Sequence, residues 1–409
     1  MTKKEKVLWI SPYAPYDGVA HGGGKTHNFY IKYFQKSNKY DITLLSLCFA
    51  EERHKLDLMK YGVDAHIACM DKNAIEKGIR IVTSGLAYKN PWNPYGGICL
   101  TYERNLINGL LKKYVKTGNV PDIIILQWTF SLMLVKVIKN IFPDATIVGI
   151  EEDVTFLNYQ RQKRNAKSLL KKIFWEKRYN IMKKIELESI GKVDFVVTNN
   201  PKDTNLLLES GVEKKKIFTA APYIDNYKNV QRKKINKDIL FFGAMSRPEN
   251  YLSAIWFIEN VLPLLNDRKV RFVIVGGKPP SILKKYSDQR IIVTGFVENV
   301  SEYFERCSCM VAPLIGGAGI KIKVLEALSA GVPVLTNEIG IEGIAAEDKK
   351  EYFHCEKPEE YAECINHILD GQLETAEISD CAKRFVQENY NLSEKLDKMM
   401  DVIKELSKE

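Results

Sequence analysis

Short apolar runs alternate with segments of helical spacing along the chain, and this alternation constrains the fold more than any single motif. In the first half the runs are VLWIS, DITLLSL, DAHIAC, DIIILQ, TIVGI and DFVVTN. Strands separated by helices pair in parallel and are covered by those helices. The pattern lapses at YKNVQRKKINKD into a polar, basic stretch, then restarts with DILFFGAM, VRFVIVGG, RIIVTGFV, CMVAPL and VPVLTN. The expected fold class is therefore α/β, with two Rossmann-like doubly wound domains, 1–226 and 238–385, joined by a linker at 227–237. Two such sheets in tandem predict a cleft between the carboxyl ends of their strands, where open α/β folds bind ligands. NLSEKLDKMMDVIKELSKE, within a terminal segment 386–409, reads as a capped amphipathic helix begun by Asn391 or Ser393. The length of 409 residues suits two ordinary cores.

Composition removes several classes of function. Hydrophobic residues make up 45% of the chain and charged residues 27%, a balance that suits a soluble globular protein. No uninterrupted run of eighteen apolar residues occurs, and MTKKEKVLWISPYAPYDG passes from lysines into a strand-like segment without a signal-peptide core. The expected location is the cytoplasm. The eight cysteines (48, 69, 99, 307, 309, 355, 364 and 381) form no paired C-x-x-C knuckles and read as buried free thiols, with no metal expected. The net charge of +9 is uneven: over 161–184, ten Lys or Arg stand against one Glu, interleaved with Leu169, Leu170, Ile173, Phe174, Trp175 and Ile181. Two readings stand open for that segment: peripheral contact with the anionic inner face of the cell membrane, or a long surface helix whose apolar stripe joins the core. No nucleic-acid recognition motif accompanies the charge, so no nucleic-acid partner is expected.

GVAHGGGKTHNF, residues 18–29, ends in Gly-Lys-Thr as a P-loop does. A P-loop needs four residues between its first glycine and the final Gly-Lys, and the position where that glycine belongs is Val19. What remains is Gly22, Gly23 and Gly24 opening a helix with Lys25 beside them, which suits either a phosphate or an ordinary tight turn. PLIGGAGIKIKVLEALSAGVPVLTNEIGIEG, residues 313–343, is more informative. A strand ends at Pro313, Gly316, Gly317 and Gly319 form a turn, a helix starts near Ile320 and runs to Ala330, and Gly331 stops it. Lys321 and Lys323 lie at its amino end, where an anion is favoured; at a spacing of two they cannot face the same way, and Lys323 is preferred for phosphate. Glu326, about one turn on, can accept hydrogen bonds from two vicinal hydroxyls such as a ribose presents, or can face solvent.

This block resembles the nucleotide-sugar motif of GT-B glycosyltransferases, in particular the retaining family 4 (glycosyl transferases group 1). There a glycine turn, a helix carrying K-x-LEA and then G-x-PV bind the donor's diphosphate and ribose. FFGAMSRPENYLSAIWFIENVLPLL is similar to the opening strand and helix of that family's donor domain. IIVTGFVENVSEYFERCSCMVAPL is similar to the strand and loop whose backbone, at Phe296 and Val297 here, faces the nucleobase. ISPYAPYDGVAHGGGKTHNFYI resembles the acceptor-domain glycine loop, and KVDFVVTNNPKDTNLLLESGVEKKKIFTAAPYID the end of that domain. The similarity runs over nearly the whole chain. It implies an acceptor-binding domain at 1–226, a donor-binding domain at 238–385 and a terminal helix crossing back to the N-terminal domain. On it, Gly22, Gly23, Gly24, Lys25, Arg247, Gly317, Gly319, Ile320, Lys321, Lys323 and Glu326 are expected to contact the donor.

Departures from the family pattern bear on function. Many members carry a second glutamate eight residues before the ribose one, and position 318 here is alanine. An Arg and Lys pair after the first donor strand is reduced to Arg247. In IVGIEEDVTFLNY, where relatives often carry a histidine close to an aspartate, Glu152 takes the histidine's place and Asp153 the aspartate's. A carboxylate there can stabilise positive charge at the anomeric carbon, or act as a base if its pKa is raised; equally, it can cap the next helix. Of the histidines only His21 and His27 lie near the expected cleft, His27 reading as a helix-surface residue. The resemblance implies transfer with retention and no bound metal or other cofactor, a helix amino end and lysines neutralising the leaving diphosphate. The implied donor is a nucleotide-diphosphate sugar, with UDP preferred, carrying a hexose or N-acetylhexosamine. The acceptor is a saccharide or lipid-linked saccharide of bacterial surface-polysaccharide synthesis. Two other functions stay open: a catalytically impaired nucleotide-sugar-binding subunit, and a GT-B-shaped sugar-nucleotide epimerase.

Overall fold

The apolar runs form strands, and the strands assort into two all-parallel sheets. The computed structural model describes residues 4–19, 22–93, 101–317 and 319–406. In the first sheet β1 (Glu5–Ser11), β2 (Tyr40–Phe49), β3 (Asp64–Met70), β4 (Ile123–Gln127), β5 (Thr146–Glu151), β6 (Phe195–Thr198) and β7 (Ile217–Thr219) lie in the order β3-β2-β1-β4-β5-β6-β7. The second contains β8 (Asp238–Phe242), β9 (Arg271–Val275), β10 (Ile291–Gly295), β11 (Cys309–Ala312), β12 (Val334–Thr336) and β13 (Phe353–His354), in the order β10-β9-β8-β11-β12-β13. Each sheet therefore grows outward in one direction and then in the other, reversing between β1 and β4 and between β8 and β11. The strands absent from the sequence reading are β7 and β13, sheet edges of three and two residues, too short to show a period.

The chain divides into two compact units, Met1–Tyr223 with Leu392–Glu409, and Ile224–Asn391. In the first unit alternate strand residues enter opposite layers, as the two-residue period requires. Leu8, Ile10, Ile124 and Leu126 enter one layer, while Val7, Trp9, Ile123 and Ile125 enter the other. The terminal helix Leu392–Leu406 joins the second layer through Leu396, Met399 and Ile403. At about 1.5–3 kcal/mol for each fully buried apolar side chain, that stripe is enough to hold it there. Tyr33 Oη adds bonds to Asp397 Oδ1 (2.5 Å) and the Ser393 carbonyl (3.2 Å).

The second unit has a single core in which the Phe257 and Phe272 ring centroids are 4.4 Å apart. Its strand ends come so close that a Cβ built on Gly276 would stand 1.8 Å from the carbonyl oxygen of Gly243. Neither backbone can yield cheaply. Gly276→Ala is expected to destabilise the second unit by about 3 kcal/mol or more, at the upper end for overpacking, visible as an early transition in thermal unfolding.

Segment 161–184 is not one helix. It falls on the helices Thr155–Asn165 and Leu169–Ile190, with Ser168 Oγ accepting from Lys171 N (3.4 Å) at the start of the second. The second half of Leu169–Ile190 buries Met182, Glu186 and Ile190, whereas Leu169, Leu170 and Ile173 in its first turns are exposed. The expected core-facing stripe thus begins only at Trp175, which packs against the core, and runs to the carboxyl end. Among the described residues no helix is long and apolar enough to cross a membrane. Cys48, Cys307, Cys309 and Cys355 are buried, Cys69, Cys364 and Cys381 are partly so, and Cys99 lies outside the described residues.

Candidate functional site

In the second unit, β8 and β11 pair directly at the point where the strand order reverses. Open α/β sheets bind ligands at the carboxyl ends of strands at such a point, because the connections there diverge to opposite faces. After β8 come Gly243, Arg247 and the helix Pro248–Asn260; after β11 come the glycine turn and the helix Ile322–Ser329. That helix starts two residues later than expected. Gly319 at φ +72° and the extended Lys321 keep the chain out of helical geometry until Ile322, which makes Lys321 the N-cap. Its end is as read, Ala330 followed by Gly331 at φ +69°.

The two lysines go to different neighbours. Lys323 Nζ turns to the end of β8, donating to Asn250 Oδ1 (2.5 Å) and lying 4.9 Å from the Phe241 ring centroid. Burial pushes its pKa down to about 7, and the charges of Lys321 and Arg247 add to the shift. Lys321 Nζ instead donates to the Gly319 carbonyl (2.5 Å) and pairs with Glu342 Oε2 (3.4 Å). Arg247, mostly exposed, pairs with Glu249 Oε1 (2.5 Å). A desolvated amine flanked by two further cations gains strongly from an anion. Glu326 is only 6% exposed, so the solvent-facing alternative is wrong: this helix packs nearly all round, and only its amino end remains open.

The remaining second-unit candidates surround this point. Gly317 has φ +115°, and a Cβ there would lie 3.6 Å from Lys321 Cε; Ile320 packs against the core. Phe296 is 79% exposed, beside Gly277, and Val297 packs inward. Position 318 lies outside the described residues.

In the first unit, residues after β1, β4, β5 and β6 converge at the other reversal point. Gly22, Gly23 and Gly24 open the helix Gly22–Lys36, with Lys25 partly exposed on it. A Cβ on Gly23 would stand 3.3 Å from Trp128 Cζ2 and 3.4 Å from Glu152 Cδ, so the glycine segment and Glu152 are in contact. Gln127 Nε2 and Asn199 Nδ2 each donate to one Glu152 oxygen at 2.6 Å, and Tyr30 Oη reaches Asn199 Oδ1 (3.4 Å). Burial and, next, the charge of exposed Asp153 hold the Glu152 carboxyl well above the usual carboxylate range, against the two amide donors.

Glu152 does not cap the next helix. The amides of Thr155 and Phe156 donate instead to the Glu186 carboxylate, at 2.8 and 2.9 Å. His27 is also a correction: it is fully buried between Trp9 and Trp128, 5.2 Å from the latter, because His27, Tyr30, Ile31 and Phe34 form the inward stripe of their helix. His21 lies outside the described residues. Sequence reasoning missed Gln127, Trp128, Asn199, Gly243 and Asn250. Their shared signal is position, on or just after the last residue of a strand or in the helix that follows. Trp128 also holds φ +65°, a strained conformation for a bulky residue and one that clusters at functional sites.

Residues 236–371 match the family model described as glycosyl transferases group 1. HepE from Anabaena, solved in complex with UDP, superimposes with a TM-score of 0.67 at 11% identity over 98% of this chain and 100% of its own. The second unit carries the match to group 1 glycosyl transferases, and the chain has the GT-B fold. Sucrose-phosphate synthase from Thermosynechococcus elongatus shares that fold, with a TM-score of 0.70 at 11% identity over 98% of this chain and 99% of its own. In sequence, the GT-B chain is 26% identical over 167 residues to an uncharacterized 44.6 kDa protein in the cps region of Klebsiella pneumoniae. That alignment spans 38% of this chain and 43% of the relative, less than half of either. The family match contains Arg247, Phe296, Val297, Gly317, Gly319, Ile320, Lys321, Lys323 and Glu326.

Proposed function

We propose that this chain transfers a hexose or N-acetylhexosamine from a nucleotide-diphosphate sugar, UDP preferred, to a saccharide or lipid-linked acceptor, with retention and without a metal. The observation that carries the reading is the desolvated Lys323 amine with its pKa near 7, set between Lys321 and Arg247 at the strand-order reversal of the unit that carries the group 1 match. In this reading Lys323, Lys321 and Arg247 neutralise the diphosphate, Glu326 holds the ribose, Phe296 and Val297 meet the base, and Gly22, Gly23, Gly24 and Lys25 are the candidate diphosphate contacts of the first unit. Fixed cations at a helix amino end do there what a divalent ion does elsewhere. Glu152, supported by Gln127 and Asn199 with Asp153 beside it, serves the reacting sugar. HepE's complex with UDP supports the choice of nucleotide, and the cps-region relative supports surface-polysaccharide synthesis as the setting. A lipid-linked acceptor implies work at the inner face of the cell membrane, with residues 161–184 touching it.

Glu152 in the histidine's place keeps the impaired-subunit reading in view, and one experiment separates the two. Nucleotide sugars are screened for thermal stabilisation, a ligand at a hundred times its dissociation constant adding about 2.7 kcal/mol. Glu326→Ala and Lys323→Ala are each expected to cut the gain to about 1 kcal/mol or less; stabilisation unaffected by either places the nucleotide elsewhere. Ligands that bind are then supplied with acceptors, and binding without any turnover favours the non-catalytic subunit.

A further inference from the structure

We propose that the helix Ala74–Lys89 and the first turns of the helix Leu169–Ile190 form one docking face for the anionic surface of a lipid bilayer. The proposal rests on the membrane contact proposed above and extends it to a helix that no motif or comparison singles out.

The helix Ala74–Lys89 has no buried residue. Its large apolar side chains Ile75, Ile79, Val82 and Leu86 follow one another at spacings of four, three and four, a single stripe, and each is more than half exposed. An amphipathic helix in a soluble domain ordinarily turns that stripe inward. This one is anchored by its carboxyl end instead: Arg178 Nη2 donates to the carbonyls of Ala87 (3.0 Å) and Tyr88, and the Tyr88 ring meets Trp175 edge-on at 5.9 Å. The stripe is left outside.

The second helix continues the same face. Trp92, just past the first helix, is 63% exposed and lies under Lys177, whose Nζ is 4.4 Å from the ring centroid. Lys177 is one turn from exposed Ile173 and two from exposed Leu169, so the apolar residues of the two helices adjoin at Trp92. On the same stretch Arg164, Lys167, Lys171, Lys172 and Lys177 are exposed, while Glu176 is paired by Lys163 at 2.8 Å. Exposed apolar residues with exposed cations beside them complement a surface that is apolar beneath and negative above, as an anionic bilayer is. A protein partner would need an acidic rim around an apolar groove; a bilayer offers both over any area.

Full-length protein is sedimented with phosphatidylcholine vesicles, with and without phosphatidylglycerol. Binding is expected to rise at least about tenfold with the anionic lipid and to fall with added salt. The double substitutions I79D with V82D, and K171E with K172E, are each expected to lower it about tenfold at an unchanged melting temperature, since all four side chains are solvent-facing or partly so. Quenching of tryptophan fluorescence by brominated lipid is expected to drop in W92F, a readout that survives if a double variant is unstable. Equal binding to both vesicles, binding untouched by the 79 and 82 substitutions, or a lipid-free dimer that those substitutions disperse would each overturn the proposal. The assay contains no nucleotide sugar, so failure of the docking face and failure of the donor site are told apart.

Discussion

Lys323→Met is expected to weaken UDP binding by about 2 kcal/mol, roughly thirtyfold, while raising the melting temperature of the ligand-free protein. The opposite signs follow from one cause. The Lys323 amine is held near pKa 7 in the folded protein, far below its ordinary value near 10.5, chiefly by burial. Between those two values the unfolded chain binds a proton that the folded one does not, so stability rises with pH across that window and is lowest below pH 7. Methionine keeps the volume and removes the buried charge, so the variant gains most below pH 7 and loses the slope above it. A bound diphosphate restores the preference for the charged amine. Binding to the natural protein is therefore expected to take up a proton above pH 7, its affinity falling by up to about tenfold per pH unit until the bound-state pKa is reached. Titration calorimetry in two buffers of different ionisation heat measures that uptake. An uptake unchanged in Lys323→Met would remove this lysine from the diphosphate.

Glu152→Gln is expected to lower turnover by roughly 10²- to 10⁴-fold, the usual range for a positioned acid or base, with nucleotide affinity nearly unchanged. The side chain is held by two amide donors and lies against Gly23, where a stabiliser of positive charge needs to be fixed in advance. Its raised pKa gives two opposed pH trends. Between the ordinary carboxylate value and the raised one, the folded state holds a proton that the unfolded state has lost, so stability falls as pH rises through that window. Turnover rises over the same pH range, because the ionised form does the work. Glutamine removes both trends. It is also accommodated: Gln127 Oε1 is buried without a hydrogen-bond partner among the described residues, and rotation of that amide presents it to the new NH₂ group. Rate against pH and melting temperature against pH, measured on both proteins, check the two halves. A variant with natural turnover would leave Glu152 only a structural part.

The recurrence of five- to eight-residue apolar runs was enough to assign the fold class, because a parallel sheet buried on both faces needs just such runs and the helices between them supply the crossovers. The glycine turn and GIKIKVLEALSAG gave away the helix and its end for a similar reason: φ above zero at Gly319 and Gly331 is a local demand that only glycine meets cheaply. The exposure of Glu326 and His27 could not be read so. Whether a polar residue on a helix faces water depends on what packs against each side of that helix, and both of these helices pack more completely than periodicity indicates.

The chain's own order of residues thus determined the two parallel sheets, the places where their connections turn, and the glycines and cations available there, since each follows from local sterics or a short period. Tertiary structure alone decided that Lys323 and not Lys321 turns to Asn250, that Gln127 and Asn199 close on Glu152 while Glu186 takes over helix capping, and that the stripe of the helix Ala74–Lys89 is left outside. Those pairings join residues up to 73 positions apart in sequence, and a contact between distant side chains is set by where strands end in the sheet, which no local pattern records.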